Sequence, residues 1–77
     1  MAATSTRRIQ YIPGGIYRKG DYRVTINGAE RGWVERTADG LWQAWVFARG
    51  GSVKVGVPQV TRREAGAEVD IEWEHWN

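Results

Sequence analysis

The stretch Asp39-Gly40-Leu41-Trp42-Gln43-Ala44-Trp45-Val46-Phe47-Ala48-Arg49-Gly50-Gly51 decides the fold. It starts and stops on turn residues, and between them runs a segment of strand formers, read here as a strand over residues 41–48. Alternate side chains of a strand point to opposite faces. Trp42, Ala44 and Val46 therefore share one face, and Gln43, Trp45 and Phe47 share the other. Working outward, Asn27-Gly28 lies 12 residues before Asp39-Gly40, and Gly50-Gly51 lies 11 residues after it. Asn-Gly and Asp-Gly are the strongest short-range hairpin signals, because a type I′ turn needs positive φ at both central positions. Such even spacing describes a meander of short antiparallel strands, here residues 21–26, 32–37, 41–48 and 52–57.

The flanking strands can be placed on the same two faces. Tyr22, Val24 and Ile26 point one way, Arg23 and Thr25 the other; Val53, Val55 and Val57 point inward and Lys54 outward. The strand after Asn27-Gly28 has two registers. A strict two-residue turn sets Arg31 and Trp33 beside Val24 and Tyr22. A bulge at Gly32 instead brings Val34 inward and turns Trp33 and Glu35 out. The bulge is preferred, because it gives Val34 to the core and leaves Arg36 near a strand end.

Pro58 closes the last strand, since it has no N–H to donate to a ladder. Thr61-Arg62-Arg63-Glu64 is a capping box and predicts a helix start. Ala65, Val69, Trp73 and Trp76 then fall on one side of a helix that runs to the chain end. Val69, Ile71 and Trp73 also alternate with Asp70, Glu72 and Glu74 as a strand would, and Gly66 weakens a helix by about 1 kcal/mol against Ala. A short helix followed by a final strand stays open as the rival reading. The expected fold is α+β: an antiparallel three- to five-stranded meander sheet with one C-terminal helix packed on one face.

The chain divides into an N-terminal arm, residues 1–20, and a single sheet-plus-helix domain, residues 21–77. Residues 1–8 are small, polar and basic and read as disordered. Ile9, Tyr11, Ile12, Ile16 and Tyr17 around Pro13-Gly14-Gly15 form either a small extra hairpin or an arm packed on the sheet. With 77 residues the chain is one small domain that buries about 60% of its unfolded surface. It has no Cys, hence no disulfide and no thiolate metal site. No apolar run approaches the roughly 20 residues that span a bilayer. A soluble, cytoplasmic protein without membrane partners is expected.

Net charge is only +2, but the signs are separated along the chain. Residues 1–63 hold all 11 Lys and Arg against four acids, +7; residues 64–77 hold five acids and no Lys or Arg, −5. One basic and one acidic surface follow, and a basic surface is the electrostatic footprint of nucleic-acid binding. Catalytic chemistry is thin. His75 is the single histidine, Ser5 and Ser52 lack an elbow motif, and no spacing fits a metal site or a phosphate loop. A non-enzyme with no cofactor, no metal and no small-molecule substrate is expected.

The outward sheet face carries the functional expectation. It collects Arg23, Thr25, Trp33, Gln43, Trp45, Phe47 and Lys54, with Arg7, Arg8, Arg18 and Lys19 of the arm as phosphate contacts. Aromatic, cationic and amide side chains together suit stacking and groove contacts on DNA. The same mixture suits a protein partner or a homodimer, where Trp and Arg concentrate as anchors. In a third reading, residues 9–17 simply fold over Trp33, Trp45 and Phe47 and bury them. The core reading assigns Trp42, Trp73 and Trp76 to the contact between sheet and helix.

Trp33-Val34-Glu35-Arg36, then residues 39–47 and 50–51, then Thr61-Arg62-Arg63-Glu64-Ala65 together resemble the arm-type DNA-binding domain of phage tyrosine integrases. In that family Asp-Gly-x-Trp-x-Ala marks the second hairpin and Thr-x-x-Glu-Ala opens the helix. The stretch is also similar to small actinophage proteins of unknown role. The resemblance covers residues 33–65 and implies a phage-encoded DNA-binding module. It further implies three antiparallel strands laid in the major groove, with Gln43, Trp45, Phe47 and Lys54 facing the groove. The chain departs from the family in having Gln43, Trp45 and Phe47 where integrase arms carry Arg or Lys. It departs also in its acidic helix and in the lack of a catalytic domain.

Overall fold

A computed structural model describes residues 8–14 and 20–77. Five strands, β1 (Ile9–Pro13), β2 (Tyr22–Ile26), β3 (Ala29–Arg36), β4 (Trp42–Ala48) and β5 (Gly51–Gln59), are followed by one helix, α1 (Arg62–Trp76). The strands form one antiparallel meander sheet in the order β1-β2-β3-β4-β5. The α+β meander with a C-terminal helix is therefore the architecture of the molecule. β1 pairs with β2 along its length, from Ile9↔Ile26 to Pro13↔Tyr22, and forms one edge of the sheet.

The turns explain the registers. Asn27 and Gly28 both have positive φ (52° and 84°), the conformation that a two-residue type I′ hairpin requires. Val24 pairs Gly32 while Thr25 pairs Glu30, which leaves Arg31 as the extra residue of a bulge. That bulge is what sends Val34 inward and Trp33 outward. The next hairpin is not type I′. Thr37 N donates to the Leu41 carbonyl and Gly40 N to the Thr37 carbonyl, with positive φ at Gly40 alone. This is the three-residue loop built on a type I turn. The third loop is Arg49-Gly50, one residue earlier than the Gly50-Gly51 pair of the sequence reading, because Ala48 pairs Gly51.

The core lies between one sheet face and α1. Val24, Ile26, Val34, Ala44, Val46 and Val55 meet Ala65 and Val69, with Ile9, Tyr11, Tyr22, Trp42, Val53 and Trp73 packed around them. Val24, Val34, Val46 and Val69 are fully buried. Helix geometry holds to the chain end, and it leaves Ile71 64% exposed where a strand would have drawn it inward with Val69 and Trp73. Thr61 caps α1 reciprocally with Glu64: Glu64 N donates to Thr61 Oγ1 (3.1 Å) and Thr61 N to the Glu64 carboxylate (3.2 Å).

Two core assignments are corrected. Val57 is 70% exposed, because the β4–β5 register shifts between Trp42 and Ala44 and takes Val57 and Pro58 out of the inward alternation. Trp76 is 46% exposed although it lies on the angular side of Val69 and Trp73. By then α1 has reached the end of β4, where Asn77 Nδ2 donates to the Phe47 carbonyl (2.9 Å), and little sheet remains beneath it.

Two glycines set the spacing of the layers. A Cβ at Gly32 would collide with the Trp45 carbonyl and lie 3.0 Å from both Val46 Cα and Val69 Cγ1. A Cβ at Gly66 would occupy the place of the Tyr11 ring. The helix thus seats against β3 through Gly32, and Tyr11 seats against the helix through Gly66.

Candidate nucleic-acid interface

The face away from α1 is ordered around one row of partners. Ile12 pairs Arg23, Arg23 pairs Trp33, Trp33 pairs Trp45, and Trp45 pairs Lys54, each on the neighbouring strand. Two tryptophans thus sit side by side between two cations, across four strands spaced about 4.8 Å apart. The rings stack with centroids 5.0 Å apart and planes 8° from parallel. The Lys54 ammonium stands 5.7 Å from the Trp45 ring, within cation–π range. Arg23 Nε lies 3.5 Å from the Glu30 carboxylate, with both side chains about half exposed.

Both indole N–H groups are satisfied within the face. Trp33 donates to Ser52 Oγ (3.2 Å) and Trp45 to Glu35 Oε2 (2.9 Å). These bonds hold the rings in place, and a held ring loses less rotamer entropy when a ligand arrives.

The expected outward residues fall into two groups. Arg23 and Lys54 are exposed and Trp45 and Phe47 half-buried, so these four remain accessible. Trp33, Thr25 and Gln43 share the face but are buried, 4%, 7% and 4% exposed, and the picture of them as open surface is corrected. Trp33 lies under the stack with Trp45. Gln43 sits beside the irregularity in β5, where its amide donates to the Val55 carbonyl (2.9 Å) and the Ala44 carbonyl (3.1 Å). It fills a gap in the ladder and has no free donor to turn toward a base. Thr25 Oγ1 is buried with no hydrogen-bond partner among the described residues.

The arm residues are only partly in view. Arg8 is exposed beside the β2–β3 turn, where its N–H donates to Asn27 Oδ1 (2.8 Å) and its carbonyl accepts from Asn27 N (2.8 Å). Arg7, Arg18 and Lys19 lie outside the described residues, as do residues 15–17 of the segment expected to cover the aromatic face. The described part of that segment, β1, lies in the plane of the sheet beside β2 rather than over Trp33 and Trp45.

A second cationic cluster, on the helix side of the sheet, was not anticipated. The Arg62 guanidinium lies 4.3 Å from the Tyr22 ring and 4.9 Å from the Tyr11 ring. Tyr22 and Trp42 are tilted neighbours with centroids 5.9 Å apart, and Arg36 stands 5.2 Å from Trp42. In the sequence Tyr22 and Trp42 read as core and Arg62 as part of the capping box. Only the close of the sheet beneath the start of α1 brings them together. Tyr11 donates to the Arg63 carbonyl (3.4 Å), and burial pushes its hydroxyl pKa above 10.0 against the opposing pull of Arg62 and Arg63.

No helix among the described residues is long and apolar enough to cross a membrane. No protein-family model, curated protein or solved structure matches the chain.

Proposed function

We propose that this chain is a small non-enzymatic DNA-binding module that uses the sheet face opposite α1 together with its basic N-terminal arm. The observation that supports the reading best is the row Arg23–Trp33–Trp45–Lys54, in which two cations flank a stacked aromatic pair. Arg23 and Lys54 take phosphates, and Trp45 and Phe47 offer apolar surface to sugars and to the base edges in a groove. The acidic helix lies behind the sheet, so an anionic polymer approaching this face does not meet it. The Arg23–Glu30 pair is half exposed and weak, and exchanging its carboxylate for a phosphate costs little. With Gln43 and Thr25 buried within the face, binding is charge-led and tolerant of sequence. A phage origin rests on the resemblance to integrase arm domains alone.

The test is fluorescence polarisation of a labelled 20-base-pair duplex across a salt series. Affinity should fall steeply with salt, and Arg23→Ala and Lys54→Ala should each reduce the slope by about one. No binding at low salt, with the protein folded, rejects the proposal.

A second reading, a protein-binding module or homodimer, draws on the internal neutralisation of the face by Glu30 and Glu35. It requires affinity that follows Trp45 and Phe47 rather than salt. Light scattering of wild type and Trp45→Ala across a concentration series tests the homodimer directly: wild type should dimerise and the variant should not.

A further inference from the structure

We infer that the helix side of the molecule carries a second contact, for single-stranded DNA, in the groove between β1 and the first turn of α1. The inference rests on the DNA-binding reading and adds to it a site and a strand preference. The groove has a volume of about 620 Å³ and is lined by Ile9, Tyr11, Thr61, Arg62 and Arg63. Its chemistry is that of an unpaired nucleotide. Ile9 and Tyr11 supply an apolar and aromatic wall, and Arg62 and Arg63 supply two positive charges. Base stacking on an aromatic wall with the backbone held by cations is how single strands are bound without sequence preference.

Three further observations favour this occupant. Tyr11 and Arg62 of the groove also belong to the run Tyr11–Arg62–Tyr22–Trp42–Arg36, in which cations and rings adjoin one another beneath the start of α1. Glu64, the carboxylate closest along the chain, is turned into the helix cap, where it accepts from Thr61 N and Thr61 Oγ1. Both donors belong to Thr61 at the edge of the groove, and they occupy one oxygen of the carboxylate there. Lastly, the groove is a pocket between two elements, and a base pair that stays stacked in a duplex has no face to place in it. A splayed base does.

The test compares fluorescein-labelled dT12 with the blunt 20-base-pair duplex by polarisation at 50 mM salt. The proteins are wild type, the double variant Arg62→Gln/Arg63→Glu, and the sheet-face double variant Arg23→Ala/Lys54→Ala. The expected result is a loss of roughly tenfold or more in dT12 affinity for the groove variant, with less than threefold change for duplex. The sheet-face variant should show the converse. Unchanged dT12 binding by a folded groove variant overturns this inference. The DNA-binding reading still stands if the sheet-face variant loses duplex. No binding of either probe by wild type overturns both. Poly-glutamate displacing dT12 at equal charge concentration overturns the nucleic-acid assignment of the groove, and failure to displace supports it.

Arg62 touches two rings, so its replacement can disturb folding. Amide chemical shifts of the wild-type chain on adding dT6 give an independent reading. Shifts concentrated at residues 9–11 and 61–63 support the groove, and shifts confined to β3, β4 and β5 overturn it.

Discussion

At the scale of single residues, glycine at 32 and 66 sets how closely strand, helix and Tyr11 approach one another. Gly66 sits inside a helix, where replacing Gly with Ala ordinarily stabilises by about 1 kcal/mol. Here the added methyl would meet the Tyr11 ring, so the sign reverses. Gly66→Ala should lower stability in urea unfolding by about 2 kcal/mol. In a Tyr11→Ala background the same change should raise it, by about the propensity difference. A destabilising Gly66→Ala in both backgrounds would show that the ring is not the obstacle. Tyr11 also has a pH signature. Its folded pKa is raised above 10.0, mainly by burial, so the neutral form is favoured in the fold. The contribution is complete below pH 10 and is lost as pH rises through the folded value. Between pH 9 and 11 wild type should lose more stability than Tyr11→Phe, which has no hydroxyl to ionise. Equal losses would remove Tyr11 as the cause.

At the scale of elements, each strand join and the helix start depend on a few local bonds. The capping box satisfies two helix N-terminal donors, one from each partner. Thr61→Ala should cost about 1 kcal/mol, readable by thermal unfolding. A neutral result would mean that the tertiary seat on Tyr11 holds the first turn alone. The β4–β5 join is less regular and leans on Gln43, whose amide bridges to β5 while 4% exposed. Gln43→Ala removes a donor from buried carbonyls and leaves a gap. A loss of about 2 kcal/mol is expected. A smaller loss for Gln43→Lys than for Ala would contradict the buried placement and return Gln43 to open surface. The acidic run of α1 shows the same dependence of element on context. Asp70, Glu72 and Glu74 mimic a strand alternation, yet the helix places Ile71 in solvent because Val69 and Trp73 are already on its packed side.

At the scale of the whole molecule, one layer of valines joins sheet to helix. Val69 is fully buried against Gly32 and the β3–β4 core, so Val69→Ala should cost about 2 to 3 kcal/mol. Far-ultraviolet ellipticity and tryptophan fluorescence should shift together, as for a single cooperative unit. Separate transitions would show that α1 melts apart from the sheet. The five tryptophans report the same two-sided construction. Trp33 and Trp45 stack on one side, Trp42 and Trp73 pack with the core on the other, and Trp76 stands at the margin. Arg31, released by the bulge, lies 3.6 Å from the Trp73 ring and covers it from the side of the β2–β3 turn.

Local patterns along the chain were enough for the α+β meander, the faces of residues 22–26, 42–47 and 53–55, the helix start and the segregation of acids into the C-terminal helix. All of these follow from patterns of period two or 3.6 and from turn and cap residues whose preferences act over four residues or fewer. They also pointed to the bulge near Gly32, because only that register sends Val34 inward. Tertiary structure alone decided which outward residues stay accessible. Exposure depends on neighbours from other strands: Trp45 stacks over Trp33, and Gln43 turns into a gap that exists only where β5 leaves register. The same holds for Val57 and Trp76, whose local patterns read as buried and whose surroundings end before reaching them. The Tyr11–Arg62–Tyr22–Trp42–Arg36 run is likewise non-local. It joins residues from five elements, and no spacing along the chain brings them together before the sheet and helix have closed.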